Sequence, residues 1–196
     1  MLTILILTTF YNWFYPATPS WKLAKEKDAI RVFTRNVAGT PYKEIRAEVV
    51  IKSTPNELLQ RLNDYRELES WRYKVSEMEL LAGDPLGDHH LYFAIATPFP
   101  LAGRDFVLDT KVEALTDGGI RISFRAMPDY ISARPPKVRM DKMEGYWKLE
   151  PLPGGSTKVT YQYLSDPSGI PAWIVNMFSV TAPYQALKRL RSAIET

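Results

Sequence analysis

The chain has 196 residues, 45% hydrophobic and 24% charged, which is long enough for one large domain with a substantial core. A formal charge of +3, with the basic residues spread along the sequence, leaves no nucleic-acid footprint. The absence of cysteine excludes disulfides, thiol catalysis and thiolate metal sites, but says little about compartment.

Residues 1–20 stand apart from the rest. They carry no charged side chain, and Leu2 to Phe10 form an apolar run extended by Trp13, Phe14 and Tyr15. The run is shorter than the roughly 20 residues a membrane span needs, and matches the hydrophobic part of a secretory signal. No Lys or Arg precedes it, and Tyr15 to Pro19 makes a poor cleavage site, so an aromatic interfacial anchor and a mis-chosen start codon stay open. We read residues 1–20 as a leader for export or membrane targeting and 21–196 as a single domain. Either reading of the leader favours a periplasmic or membrane-associated protein over a cytoplasmic one.

Trp21 to Glu26 reads as a short helical lead-in. Ala29 to Arg35 alternates as a strand, and Ile45, Ala47, Val49 and Ile51 oppose Glu44, Arg46 and Glu48 in the next. Thr54-Pro55-Asn56-Glu57 is a capping box with Pro at the first helical position, which starts a helix at Pro55. A short second helix is expected through Leu68, leading to Trp71. Strands follow at Val75–Leu81 and His90–Ala96. The Pro-rich loop Thr97 to Gly103 then interrupts pairing, because proline cannot donate to a ladder. Arg104–Ala114 and Ile120–Ala126 form a hairpin around Asp117-Gly118-Gly119. Val138–Glu150 and Lys158–Leu164 form another around Pro153-Gly154-Gly155.

After the turn Asp166 to Gly169, helical spacing runs through Ile170, Trp173, Ile174, Met177, Tyr184, Leu187, Leu190 and Ile194. One amphipathic helix of about 24 residues is expected, roughly 36 Å long. Pro183 lies inside it, and a proline there costs about 3 kcal/mol, so a kink is expected near Val180 to Ala182. One long helix closing a mostly antiparallel sheet is a helix-grip arrangement, an α+β fold that suggests a cavity.

Few residues carry chemistry. Arg134, Lys137, Arg139 and Lys142 form the densest basic patch, read as a solvated face in preference to a phosphate contact. His89 and His90 are adjacent, so their side chains diverge and joint metal ligation is awkward; a surface turn explains them better. Arg104 and Asp105 point to opposite faces of their strand, and each is expected to hold loop backbone or a neighbouring strand; headgroup recognition by Arg104 is the sharper alternative. No phosphate-cradling loop, nucleophile elbow or zinc spacing is present, and no cofactor or metal is expected.

Several segments resemble the START domain, the steroidogenic-acute-regulatory-related lipid-transfer family, in a single-domain bacterial form. They are Asp64 with Trp71, Thr97-Pro98-Phe99-Pro100 leading to Arg104-Asp105-Phe106, Gly145-Tyr146-Trp147, and Asp166-Pro167-Ser168-Gly169-Ile170-Pro171-Ala172-Trp173 with the helix after it. The resemblance implies a curved antiparallel sheet wrapped around the C-terminal helix, enclosing a tunnel for one lipid, without catalysis. Its expected lining is Val49, Trp71, Phe93, Phe106, Leu108, Thr110, Ile122, Phe124, Tyr146 and Tyr161. Ile174, Met177 and Phe178 would form a lid. For any one of these, packing within the core is the plainer alternative. Some sterol-carrying members place a charge six residues after the Arg of Arg-Asp-Phe; this chain has Thr110 there, so ligand identity does not carry over. The expected partners are a hydrophobic small molecule and, transiently, a membrane surface reached through Pro98–Gly103 and Trp173, with the protein a monomer. The alternative is a helix-grip enzyme of the polyketide cyclase/aromatase type, for which Thr110, Tyr146 and Tyr161 are the candidate polar groups. A third is a membrane-tethered interaction domain whose cavity is packed shut.

Overall fold

A computed structural model describes residues 20–65, 72–97, 99–167 and 169–195. The leader and Trp71 therefore lie outside the described residues, as does most of the second helix expected through Leu68. The strands are β1 Lys22–Lys27, β2 Ile30–Asn36, β3 Lys43–Ile51, β4 Val75–Gly83, β5 His89–Ile95, β6 Arg104–Ala114, β7 Ile120–Ala126, β8 Val138–Arg139, β9 Lys142–Leu152 and β10 Ser156–Asp166. The helices are α1 Pro55–Leu62, α2 Ala172–Phe178 and α3 Thr181–Glu195.

The strands form one sheet ordered β1-β2-β3-β10-β9-β7-β6-β5-β4, with β8 parallel to β6 and the other pairs antiparallel. β1 and β4 end the sheet unpaired with each other, so it is open rather than a closed barrel. The expected lead-in helix is instead β1, paired with β2 around an Asp28-Ala29 turn whose φ angles are 53° and 54°. Lys22 to Lys27 has no apolar stripe to pack, whereas an extended segment gains ladder bonds along β2. Trp21, just before β1, lies between the guanidinium groups of Arg35 and Arg46, at 4.6 and 4.2 Å.

Period-two alternation decides which side chains turn inward. Ile30, Val32, Ile45, Ala47, Val49, Ile51, Ile120, Ile122, Leu149 and Val159 are all buried on the concave face. α1 adds Leu58, Leu59 and Leu62 to this core. Its start is fixed by the expected capping box, in which Thr54 Oγ1 accepts from Glu57 N at 3.3 Å and Glu57 Oε2 accepts from Thr54 N at 2.9 Å. These bonds, with one from Ser53, hold the Glu57 carboxyl below its ordinary pKa.

The C-terminal segment is two helices rather than one. α2 ends at Phe178, Ser179 and Val180 form a turn, and α3 starts at Thr181. Pro183 is the third residue of α3, where a missing N–H is one of the helix's unpaired donors in any case, so the break removes the cost of an internal proline. α3 buries Pro183, Tyr184, Leu187 and Leu190 against the core. Tyr184 Oη donates to Asp28 Oδ2 at 2.6 Å, Lys188 Nζ meets the same oxygen at 2.9 Å, and Arg191 donates to the Asp28 carbonyl at 2.8 Å. These contacts lock α3 onto the β1–β2 turn. α2 buries no residue; Asn176 Oδ1 accepts from Lys43 N at 3.3 Å, and Tyr42 Oη donates to the Ile170 carbonyl at 3.1 Å.

Candidate functional site

The concave face is dry and packed at the α3 end and hollow at the other. An inner cavity of about 150 Å³ lies under β4–β7 and β9–β10, walled by Leu91, Phe93, Leu108, Ile122, Phe124 and Trp147. Tyr161 stacks on Trp147 with ring centroids 3.9 Å apart and lines the same cavity. Burial pushes the Tyr161 and Tyr163 hydroxyls well up in pKa, so both are neutral phenols.

The deep end of this cavity is polar, formed by Asn63, Arg72, His89 and Thr110. Arg72 is buried and donates to the Leu62 and Asp64 carbonyls at 2.8 and 2.9 Å. Burial lowers its pKa to about 10, which still leaves it protonated at neutral pH. His89 is 3% exposed, so it is not the surface-turn residue the sequence suggested. Its Nδ1 is 2.9 Å from the Gly87 carbonyl and must donate there, which leaves Nε2 to accept from Tyr65 Oη at 2.6 Å. Burial lowers the His89 pKa and keeps the ring neutral. With both nitrogens engaged, this imidazole is committed to structure.

Phe93 and Phe106 stack in parallel, 4.5 Å between centroids. Phe93 lines the inner cavity and Phe106 lines a second space, an outer groove of about 560 Å³, so the pair is the wall between them. The groove runs between the Pro-rich loop and α2, lined by Ile95, Phe99, Leu101, Ile170, Ile174 and Phe178 among others. Its volume lies within the range of small-molecule sites, and its lining is overwhelmingly apolar. Of its lining residues Phe99 is 97% and Phe178 51% exposed, and α2 also leaves Trp173 and Met177 more than half exposed. Apolar groups clustered this way mark a contact surface.

Arg104 lines the groove with its side chain 5% exposed. Its Nη1 donates to the Ala102 carbonyl, bracing the Pro-rich loop, while its Nε has no partner. Asp105, on the other face, is fully buried and takes both oxygens to Arg139, each at 3.1 Å. Arg139 also donates to the Pro128 and Ile131 carbonyls, pinning the connection between β7 and β8 over the convex face. The basic patch around it is neutralised pairwise: Arg134 with Glu79 at 2.8 Å, Lys137 with Glu77 at 2.7 Å, and Lys142 with Asp166 at 3.6 Å.

Of the expected lining residues, Phe93, Leu108, Thr110, Ile122, Phe124 and Tyr161 face the inner cavity. Phe106, Ile174, Phe178 and Arg104 face the groove. Val49 lies instead in the packed core beneath α3, away from both spaces. Met177 lines neither space and is 59% exposed. Tyr146 is on the convex face, where its hydroxyl donates to Gln162 at 2.9 Å and the Arg121 guanidinium covers its ring at 3.9 Å. Its neighbour Trp147 faces inward, and the sequence held the signal. Met143, Gly145, Trp147 and Leu149 are the uncharged side of β9, while Glu144, Tyr146, Lys148 and Glu150 are the polar side. His89, Arg72 and Asn63 carried no such signal, because three separate segments deliver them to one point. Among the described residues no group of three or more His, Asp or Glu is placed to hold a metal ion.

Comparison with known proteins agrees with this architecture. A family model described as polyketide cyclase/dehydrase and lipid transport matches residues 43–195. An uncharacterized protein of Pseudomonas aeruginosa is 38% identical over 176 residues, 89% of this chain and 87% of that protein. A crystal structure of a STAR-related lipid transfer protein fragment from Xanthomonas axonopodis superimposes with a TM-score of 0.84 at 35% identity, covering 90% of this chain and 99% of that one. The lipid transfer and protein localization domain of human StarD13 superimposes at 0.78 with 18% identity, covering 97% and 95%, which bears on the fold alone.

Proposed function

Because the chain belongs to the polyketide cyclase/dehydrase and lipid transport family and has the START helix-grip fold, we propose that it carries or senses one lipid or other hydrophobic molecule at a membrane surface, without chemical change. The observation that supports this most is the outer groove of about 560 Å³, apolar and open between α2 and the Pro-rich loop. Burying an alkyl chain there is worth about 0.8 kcal/mol per methylene, so a long chain would be held without any polar contact. The exposed Phe99, Trp173, Met177 and Phe178 are suited to dip into a bilayer surface where the groove opens. The leader at residues 1–20 would bring the domain to that surface.

The deep polar end of the inner cavity is the feature a cyclase or aromatase would need, since such an enzyme must aim a polar group at a carbonyl. Its His89 is fully engaged, however, which leaves Thr110 and Tyr161 as the cavity-lining side chains among those weighed from sequence. Native mass spectrometry of the purified domain, together with a turnover assay on a poly-β-ketone, separates the two readings. An intact co-purified lipid supports carriage. An empty protein that cyclises the polyketone overturns it in favour of the enzyme.

A further inference from the structure

β6 runs from the groove into the cavity. Its inward residues are, in order, Arg104 in the groove, Phe106 at the wall, and Leu108 and Thr110 in the inner cavity. At roughly 3.4 Å per residue the distance from Arg104 to Thr110 is about 20 Å. The inward row of β6 thus has a polar group at each end, and the two ends differ. At the deep end each group has its own partners: Arg72 holds two carbonyls, His89 uses both nitrogens, and Asn63 donates to the Pro85 carbonyl. At the groove end Arg104 has a single backbone acceptor, an unpartnered buried Nε, and no carboxylate in ion-pair contact among the described residues. Asp105, the nearest acid in sequence, is turned away and taken by Arg139.

A buried guanidinium with a free edge, inside an apolar groove, is poorly solvated and incompletely paired. An oxyanion bonded to that edge would supply the missing acceptor and the missing charge together. We propose that the molecule taken up is an anionic amphiphile, a long-chain carboxylate or phosphate monoester, whose head is held by Arg104 and whose chain lies in the groove along the Phe93–Phe106 wall. This rests on the reading of the groove as a hydrophobic-ligand site and adds the charge and direction of its ligand.

The test uses the delipidated domain and four probes that share one chain: palmitate, hexadecyl phosphate, hexadecanol and methyl palmitate, with inorganic phosphate as the chainless control. Affinities are measured by displacement of a fluorescent neutral lipid. Wild type should bind one or both anionic probes about ten-fold or more tighter than the neutral pair, as expected for a charge-assisted bond to a buried partner. Whichever anion ranks first identifies the head, and inorganic phosphate should bind far more weakly than hexadecyl phosphate. Arg104→Met should remove the preference while neutral probes still bind, and Arg104→Lys should keep part of it. Equal binding of anionic and neutral probes by wild type overturns the inference and leaves the hydrophobic-ligand reading standing. So does a preference that survives in Arg104→Met, or inorganic phosphate binding as tightly as its hexadecyl ester. Failure of all four chain-bearing probes overturns both. The wild-type ranking needs no variant, so a poorly folding Arg104→Met would still leave the inference decided.

Discussion

Division of labour between the two C-terminal helices can be measured by comparing Leu187→Ala with Phe178→Ala. Leu187 is fully buried in α3 among Ile30, Ile45 and Leu190, so truncation removes a whole side chain from a packed site. Such changes cost about 3 kcal/mol or more, and in a domain of this size each kcal/mol moves the melting temperature by about 2–4 °C. Leu187→Ala should therefore lower Tm by about 6–12 °C. Phe178 in α2 is 51% exposed, and its remaining surface faces the groove rather than packed neighbours. A fully buried Phe→Ala costs about 3–5 kcal/mol, but here at most about 1 kcal/mol is expected, or about 2–4 °C. Binding should respond in the opposite order: Phe178→Ala weakens capture of a fluorescent lipid several-fold, while Leu187→Ala leaves it nearly intact below its melting point. Urea unfolding and lipid titration on both variants give the answer. If Phe178→Ala destabilises as much as Leu187→Ala, α2 is a structural helix and the account of it as one wall of a ligand groove is wrong.

Other consequences are more local. At Gly145 an added Cβ would lie 2.8 Å from Phe124 Cζ and from Tyr163 Cα and still closer to the Gln162 carbonyl, so Gly145→Ala should destabilise by about 1–3 kcal/mol in urea unfolding. Asp105→Ala leaves Arg139 without its carboxylate and should cost about 3–5 kcal/mol, with proteolysis appearing first in the 127–137 connection it pins. The Asp28 carboxyl is lowered to about 2, first by the Tyr184 hydrogen bond and then by Lys188. A depressed acid stabilises the fold above its unfolded pKa, near 4, and that contribution is lost as pH falls toward 2. Asp28→Asn should therefore flatten the acid limb of a stability–pH profile between about pH 4 and pH 2, and an unchanged limb would refute the assignment.

The strands and their facing were legible because alternation survives in a sheet with one dry side. β2, β3 and β7 follow their apolar positions residue by residue, and α1 follows its capping box, whereas β6 is buried on both faces from Arg104 to Leu108. In β9 register outweighs residue type: Tyr146 suits a ligand contact by its chemistry, but its position between Glu144 and Lys148 places it on the wet face. β1 is not legible in the sequence, because a six-residue polar segment has no periodicity of its own and takes its conformation from β2. The C-terminal break could be located near Pro183, but the sequence had no means of saying whether a proline bends one helix or begins another. Which inward residues face a void and which face α3 was beyond the sequence altogether. Val49 and Phe106 alternate equally well, and only the path of α3 across β2 and β3 separates them.

Hydrogen–deuterium exchange on the domain as purified and again after delipidation tests the central claim most directly. The account predicts that bound lipid slows exchange in α2, in residues 99–103, and along the inner ends of β5 and β6, with α3 and the convex face around Tyr146 and Arg121 unchanged. A lipid detected in the same sample, with protection confined to the convex face or spread evenly over the chain, would contradict it.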